Sequence, residues 1–77
     1  MRHFFVALRS PRDVRDFVTI ASVQPFGVTV ENDGKVVNGK SLMGLFCLDH
    51  CCVHQVSMEC TQEQFDSFYC ATAQFHP

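Results

Sequence analysis

The chain is short of basic residues. Six Lys and Arg stand against eight Asp and Glu, a net charge of -2, which leaves no broad positive surface for a polyanion and excludes nucleic acid as the main ligand. Long apolar runs are missing too. The longest, LMGLFCL at residues 42–48, falls far short of the roughly 20 residues that span a bilayer, so the chain reads as soluble and without a membrane partner. Its four glycines, Gly27, Gly34, Gly39 and Gly44, are dispersed and form neither GxGxxG nor GxxxxGK[ST]. A phosphate-cradling nucleotide loop is therefore not expected, nor any cofactor that needs one. No apolar signal segment follows Met1. The cysteine count, five, is odd, and Cys51 and Cys52 are adjacent, which speaks for a reduced, cytoplasmic protein rather than a disulfide framework.

What the chain does have is the material for one small core. Val, Leu, Ile and Phe make up 23 of its 77 residues, well above the level at which a chain stays disordered. That length suits a single domain, residues 1–77. A domain of this size buries only about 60% of the surface its unfolded chain exposes, so function must rest on one site or one face.

The hydrophobic pattern predicts seven elements. HFFVAL at residues 3–8 is aromatic and β-branched, the composition of a strand. Ser10-Pro11 is a helix-start signal, and Val14, Phe17, Val18 and Ala21 follow at helical spacing, predicting a helix over 11–23 that ends before Pro25. Phe26, Val28 and Val30 alternate with Gly27, Thr29 and Glu31, a half-buried strand. Asp33-Gly34 then marks a two-residue hairpin turn into a return strand over 35–38. Ser41 opens a second, short helix carrying Leu42, Leu45, Phe46 and Leu48, and residues 49–52 read as a loop. Val56, Met58 and Cys60 alternate with Gln55, Ser57 and Glu59 as a fourth strand. Thr61-x-x-Gln64 has the capping-box pattern, and Phe65, Phe68, Tyr69 and Thr72 carry a last helix to about Gln74. Strands with one apolar face and three helices that each need a surface imply an α+β layer structure, a four-stranded sheet with its helices on one side.

Few residues suggest chemistry. Asp13 and Asp16 sit beside Arg12 and Arg15 on the polar side of the first helix and read as a solvated, locally paired face. The cluster Asp49-His50-Cys51-Cys52-Val53-His54 holds the ligand types that zinc or copper prefer. Its spacing is poor for a tetrahedral site, however, and Cys47, Cys60 and Cys70 form no second pair, so they read as core residues and no metal is expected. His3 and His76, near the ends, read as exposed. Ser10 and Ser41 stand at two helix starts, where free N–H groups and the helix dipole favour anions, with Arg12 and Lys40 adding positive charge.

The stretch FGVTVENDGKVVNGKSLMGLFCL, residues 26–48, resembles the HPr family, the small phosphocarrier proteins of the bacterial sugar phosphotransferase system. The Asn32-Asp33-Gly34-Lys35 turn, the Val37-Asn38-x-Lys40-Ser41 segment and Leu42-Met43-Gly44 match in order and spacing without a gap. With FVTIAS at 17–22, the resemblance covers about residues 10–60. It implies an open-faced β-sandwich of order β-α-β-β-α-β-α, with an antiparallel four-stranded sheet. The family relays a phosphoryl group through a histidine in a Gly-x-His-x-Arg-Pro motif at the start of the first helix. Counting back from Ser41, the resemblance sets Ser10 at the histidine position, Arg12 at the arginine and Asp13 where the proline stands, a degenerate phosphate site. Phosphoserine lacks the transfer potential of a phosphoimidazole, so Ser10 does not take over the relay. The family's second site is matched by Ser41, which in Gram-positive members is phosphorylated by a dedicated kinase to give a state that binds a transcriptional regulator. Leu42, Met43 and Phe46 match the partner-docking surface.

The resemblance thus implies a protein that is not an enzyme. It is expected to be a cytoplasmic regulatory or interaction module whose partners are phosphotransferase-system components, a serine kinase or a transcriptional regulator. The alternatives are an active carrier using a displaced histidine, His50 or His54, and a Cys/His metal-binding domain.

Overall fold

The structure, a computed structural model, describes residues 1–46 and 53–77. Four strands, β1 (Arg2–Ala7), β2 (Val28–Asn32), β3 (Lys35–Asn38) and β4 (Val53–Met58), form one antiparallel sheet in the order β1-β4-β2-β3. The helices are α1 (Pro11–Ser22), α2 (Leu42–Phe46) and α3 (Gln62–Ala71), followed by a 3-10 turn over Ala73–Phe75. Period-two alternation sends Phe4, Val6, Val28, Val30, Val56 and Met58 to one face of the sheet, where they meet Val14, Phe17 and Ala21 of α1, Leu45 of α2 and Phe68 of α3 in a single buried cluster. Phe4 packs edge-on against Phe65, Phe68 and Tyr69, with ring centroids 5.9, 5.6 and 5.2 Å away, the arrangement that aromatic quadrupoles favour. The predicted α+β layer architecture, with helices on one face of the sheet, is the one observed.

Local chemistry explains the element boundaries. Asp33 and Gly34 both take positive φ, 53° and 83°, closing the β2–β3 hairpin with Asn32 paired to Lys35, as the Asp-Gly signal predicts. At Gly39 a Cβ would lie 2.6 Å from Val28 Cγ1, and the glycine N–H donates to the Val28 carbonyl at 2.8 Å. Only glycine lets the backbone come that close to β2. The capping box of α3 forms in full, with the Gln64 N–H on Thr61 Oγ1 at 3.1 Å and the Thr61 N–H on Gln64 Oε1 at 3.0 Å.

Several expectations need correction, among them the start of the second strand, which lies at Val28 rather than Phe26. β1 spans Arg2–Ala7 rather than 3–8, although Leu8 is still buried. β4 begins at Val53 rather than Gln55 and stops at Met58, opposite Arg2 and Val28, the first residues of its two partner strands, and beyond it the Cys60 carbonyl accepts the Arg2 Nε–H at 3.1 Å. The last helix ends at Ala71: the Thr72 hydroxyl bonds back to the Phe68 and Tyr69 carbonyls at 3.0 and 3.2 Å, which competes with continuation of the helix. Cys70 is exposed, since it falls two positions after the inward-facing Phe68, on the outer side of α3. Cys60 is half-buried and packs against the core. The second-helix residue Leu48, the core reading of Cys47 and the loop over 49–52 lie outside the described residues.

Candidate functional site

Two helix starts and the depression beside them make up the site. At α1 the backbone of Ser10 is extended, with φ -152° and ψ 163°, and its Oγ accepts the Asp13 N–H at 3.2 Å. Pro11 follows at the first helical position, where its missing N–H costs nothing. Asp13 also reaches back, and its Oδ2 accepts the Arg9 N–H at 3.0 Å. The helix N-terminus, whose free N–H groups attract anions, is thus supplied with a carboxylate from its own first turn. The sequence pattern alone places Asp13 among solvated side chains and does not show this bond. The spacing Ser10-x-x-Asp13, a capping-box variant, was the signal that could have shown it. Asp16 behaves as read, pairing with Arg15 at 3.8 Å across an exposed surface, a contact worth little.

At α2, Ser41 is the N-cap. Its Oγ accepts the Gly44 N–H at 3.1 Å and its carbonyl accepts the Leu45 N–H at 3.1 Å. A Cβ on Gly44 would stand 3.3 Å from Ser41 Oγ and 3.4 Å from Val37 Cβ, so the bare glycine seats the short helix closely against β3. Lys40 is held at both ends. Its N–H donates to Asn38 Oδ1 at 2.9 Å, and its Nζ crosses to the Gln24 carbonyl at 2.8 Å, just past the end of α1. Nothing in the sequence pointed to that bond, because it joins segments that only the fold brings together.

Between the two helices lies an open depression lined by Pro11, Arg12, Arg15, Leu42 and Phe46. Arg12 of the expected phosphate site and two of the three expected docking residues therefore share one surface. Ser10, Ser41 and Met43 are not in its lining. Leu42, Met43 and Phe46 are 38%, 81% and 44% exposed, and none of the three belongs to the buried cluster. An aliphatic and aromatic surface beside two guanidinium groups can take a partner with apolar and acidic side chains.

The histidines are placed differently from one another. His3 is exposed on β1. His54 is fully buried in β4, paired with Val6 on the helix-covered face, so an incoming phosphoryl donor has no access to it. His76 is half-buried, its ring 4.1 Å from that of Tyr69 and 5.8 Å from that of Phe4, which corrects the exposed reading. Of the cluster at 49–54, only Val53 and His54 fall among the described residues. Among those residues no three His, Cys, Asp or Glu side chains gather in a metal-ligating group, and no helix is long and apolar enough to cross a membrane.

No protein-family model and no curated protein matches the chain. Solved structures do. HPr-C-His from Thermoanaerobacter tengcongensis superposes with a TM-score of 0.76 at 26% sequence identity, covering 96% of this chain and 89% of that one. The fold is that of HPr. A second HPr structure, the phosphocarrier protein from Bacillus anthracis str. Ames, matches with a TM-score of 0.68 at 22% identity, over 91% of this chain and 94% of that one. In this chain the start of α1 and the helix α2 flank one depression, with Ser10 and Ser41 capping the two helices.

Proposed function

We propose that this protein is a regulatory module of the sugar phosphotransferase system that does not relay phosphate through histidine, is controlled at Ser41, and docks partners through Leu42, Met43 and Phe46. The observation that carries the reading is the start of α1. Ser10, which the resemblance sets at the HPr histidine position, is taken up in capping the helix, and the Asp13 carboxylate is bonded across the same helix end. A phosphoryl group there would meet a negative charge already in place, and a phosphoserine would hold its phosphate rather than pass it on. His54 offers no substitute, since it is buried.

Ser41 supports the regulatory half. It is partly exposed, caps α2, and stands beside the apolar surface that a partner would touch. A phosphate on its Oγ would bring close to two negative charges to that surface, and its oxygens would compete with Oγ for the Gly44 N–H at the helix end. Docking of a partner would then depend on the state of one hydroxyl. The protein is accordingly a carrier-fold binding protein of the cytoplasm rather than an enzyme, with a serine kinase and a transcriptional regulator or transport component as partners.

Two incubations followed by mass spectrometry test this. With an HPr serine kinase and ATP, one phosphoryl group is expected on Ser41 and none on Ser41→Ala. With phosphoenolpyruvate and the system's first enzyme, no acid-labile phosphate is expected. A histidine-linked label would overturn the regulatory reading, and an unmodified Ser41 would remove the control point.

A further inference from the structure

The two edges of the sheet are built differently. β3 is only four residues long, begins with Lys35 and has α2 packed beside it. β1 runs for six residues and pairs with β4 without a bulge, from Arg2 opposite Met58 to Ala7 opposite Val53, and no described strand lies on its other side. Charges, prolines and bulges are the devices that keep exposed edges from pairing with other chains, and the segment HFFVAL over 3–8 contains no Lys, Arg, Asp, Glu or Pro. The one charged residue of the strand is engaged away from the outer edge: Arg2 Nε donates to the Cys60 carbonyl at 3.1 Å and its Nη1 to Gln62 Oε1 at 2.7 Å, on the β4 side. At mid-strand, Phe5 is 54% exposed on the uncovered face.

We propose that the free edge of β1 pairs antiparallel with β1 of a second copy, symmetrically about Phe5, to make a continuous eight-stranded sheet. In this register Phe5 faces Phe5 of the second copy, Phe4 faces Val6 and His3 faces Ala7. Side chains from the helix-covered face stay together, and so do those from the open face. The two exposed rings become cross-strand neighbours, and no like-charged side chains stand opposite one another. A shift by one residue would set Phe5 against the covered face. A second copy fits better than an unrelated strand because the segment complements itself in this register, and two-fold symmetry makes each contact twice. One strand pair is smaller than the ~800 Å² per partner of a stable complex, so association is weak and concentration-dependent. β1 lies at the opposite edge of the sheet from β3 and α2, so Ser41 and the docking residues stay accessible in the dimer. This assembly goes beyond the regulatory function proposed above.

The test is sedimentation velocity of the full chain, with reductant present so that Cys60 and Cys70 cannot cross-link, over roughly a hundred-fold range of concentration. The average mass of the wild-type protein is expected to rise towards that of a dimer, and Phe5→Lys is expected to stay monomeric throughout. Val36→Lys, which alters a 60% exposed side chain on the open face at the far edge, is expected to associate like wild type. Phe5→Thr serves if melting shows that the lysine disturbs the fold. Hydrogen exchange needs no variant, and β1 amides, but not β3 amides, gain protection as concentration rises. A monomer at every concentration would overturn the proposal, as would association that survives both Phe5 variants. So would equal disruption by Val36→Lys, which would assign the open face instead, or protection confined to strands other than β1.

Discussion

Asp13 and Arg9 are joined across the start of α1, the Arg9 N–H donating to Asp13 Oδ2 at 3.0 Å while the Asp13 N–H donates to Ser10 Oγ at 3.2 Å. A carboxylate in the first turn of a helix satisfies free N–H groups and meets the positive end of the helix dipole. Here it does so at the helix start that the proposed function reads as a degenerate phosphate site. The same contact stabilises the fold and disfavours a second anion at that end.

Removing either half of this cap should therefore be felt. Ser10→Ala and Asp13→Ala are each expected to lower stability by about 1 kcal/mol, read from urea unfolding by circular dichroism. Pairing Ser10→Ala with Asp13→Ala tests the coupling. The two groups share the first turn of α1, so a double variant that loses clearly less than the sum of the two singles is expected, and strict additivity would show that they act independently.

The bond from Lys40 Nζ to the Gln24 carbonyl is the other device that sets the site, since it fastens the start of α2 to the segment after α1. Lys40→Met keeps the length of the side chain and removes the donor. With the Gln24 carbonyl left short of a partner, the expected cost is about 1–2 kcal/mol. Faster amide exchange should follow in residues 41–46, while α3 is expected to exchange as in the wild type.

Two glycines predict opposite results. Gly39→Ala forces a Cβ to within 2.6 Å of Val28 Cγ1, a core side chain, and is expected to cost about 1–3 kcal/mol through displaced packing. Gly44→Ala meets Ser41 and Val37 only at 3.3 to 3.4 Å and gains roughly 1 kcal/mol of helix propensity. Its thermal midpoint is expected to stay close to wild type. A large loss at Gly44 would mean that α2 has no freedom to move against β3.

The docking surface separates from stability. Leu42→Asp and Met43→Asp change exposed side chains that no core contact requires, so their unfolding free energies are expected within about 0.5 kcal/mol of wild type. Binding to an HPr serine kinase, followed by surface plasmon resonance, is expected to weaken at least tenfold. Phe17→Ala makes the contrast: it empties a fully buried site and is expected to cost about 3–5 kcal/mol, a large part of what a domain this small has.

The sequence by itself was enough for the order of the elements. Stripes at 3.6 and alternation at 2 are local properties of the chain, and Ser10-Pro11, Asp33-Gly34 and Thr61-x-x-Gln64 each act over a few residues. The same local logic carried the resemblance on residues 26–48 and, through it, the choice of Ser10, Arg12 and Ser41. Only the tertiary structure decided what depends on distant neighbours. It showed that Leu42, Met43 and Phe46 lie outside the core, that Cys70 faces solvent, and that His54 is sealed inside the sheet. It also showed that Lys40 reaches Gln24 and that no described strand lies on the outer side of β1. Burial and long-range hydrogen bonding are properties of packed surfaces, and residues far apart in the chain become neighbours only when the helices settle on the sheet.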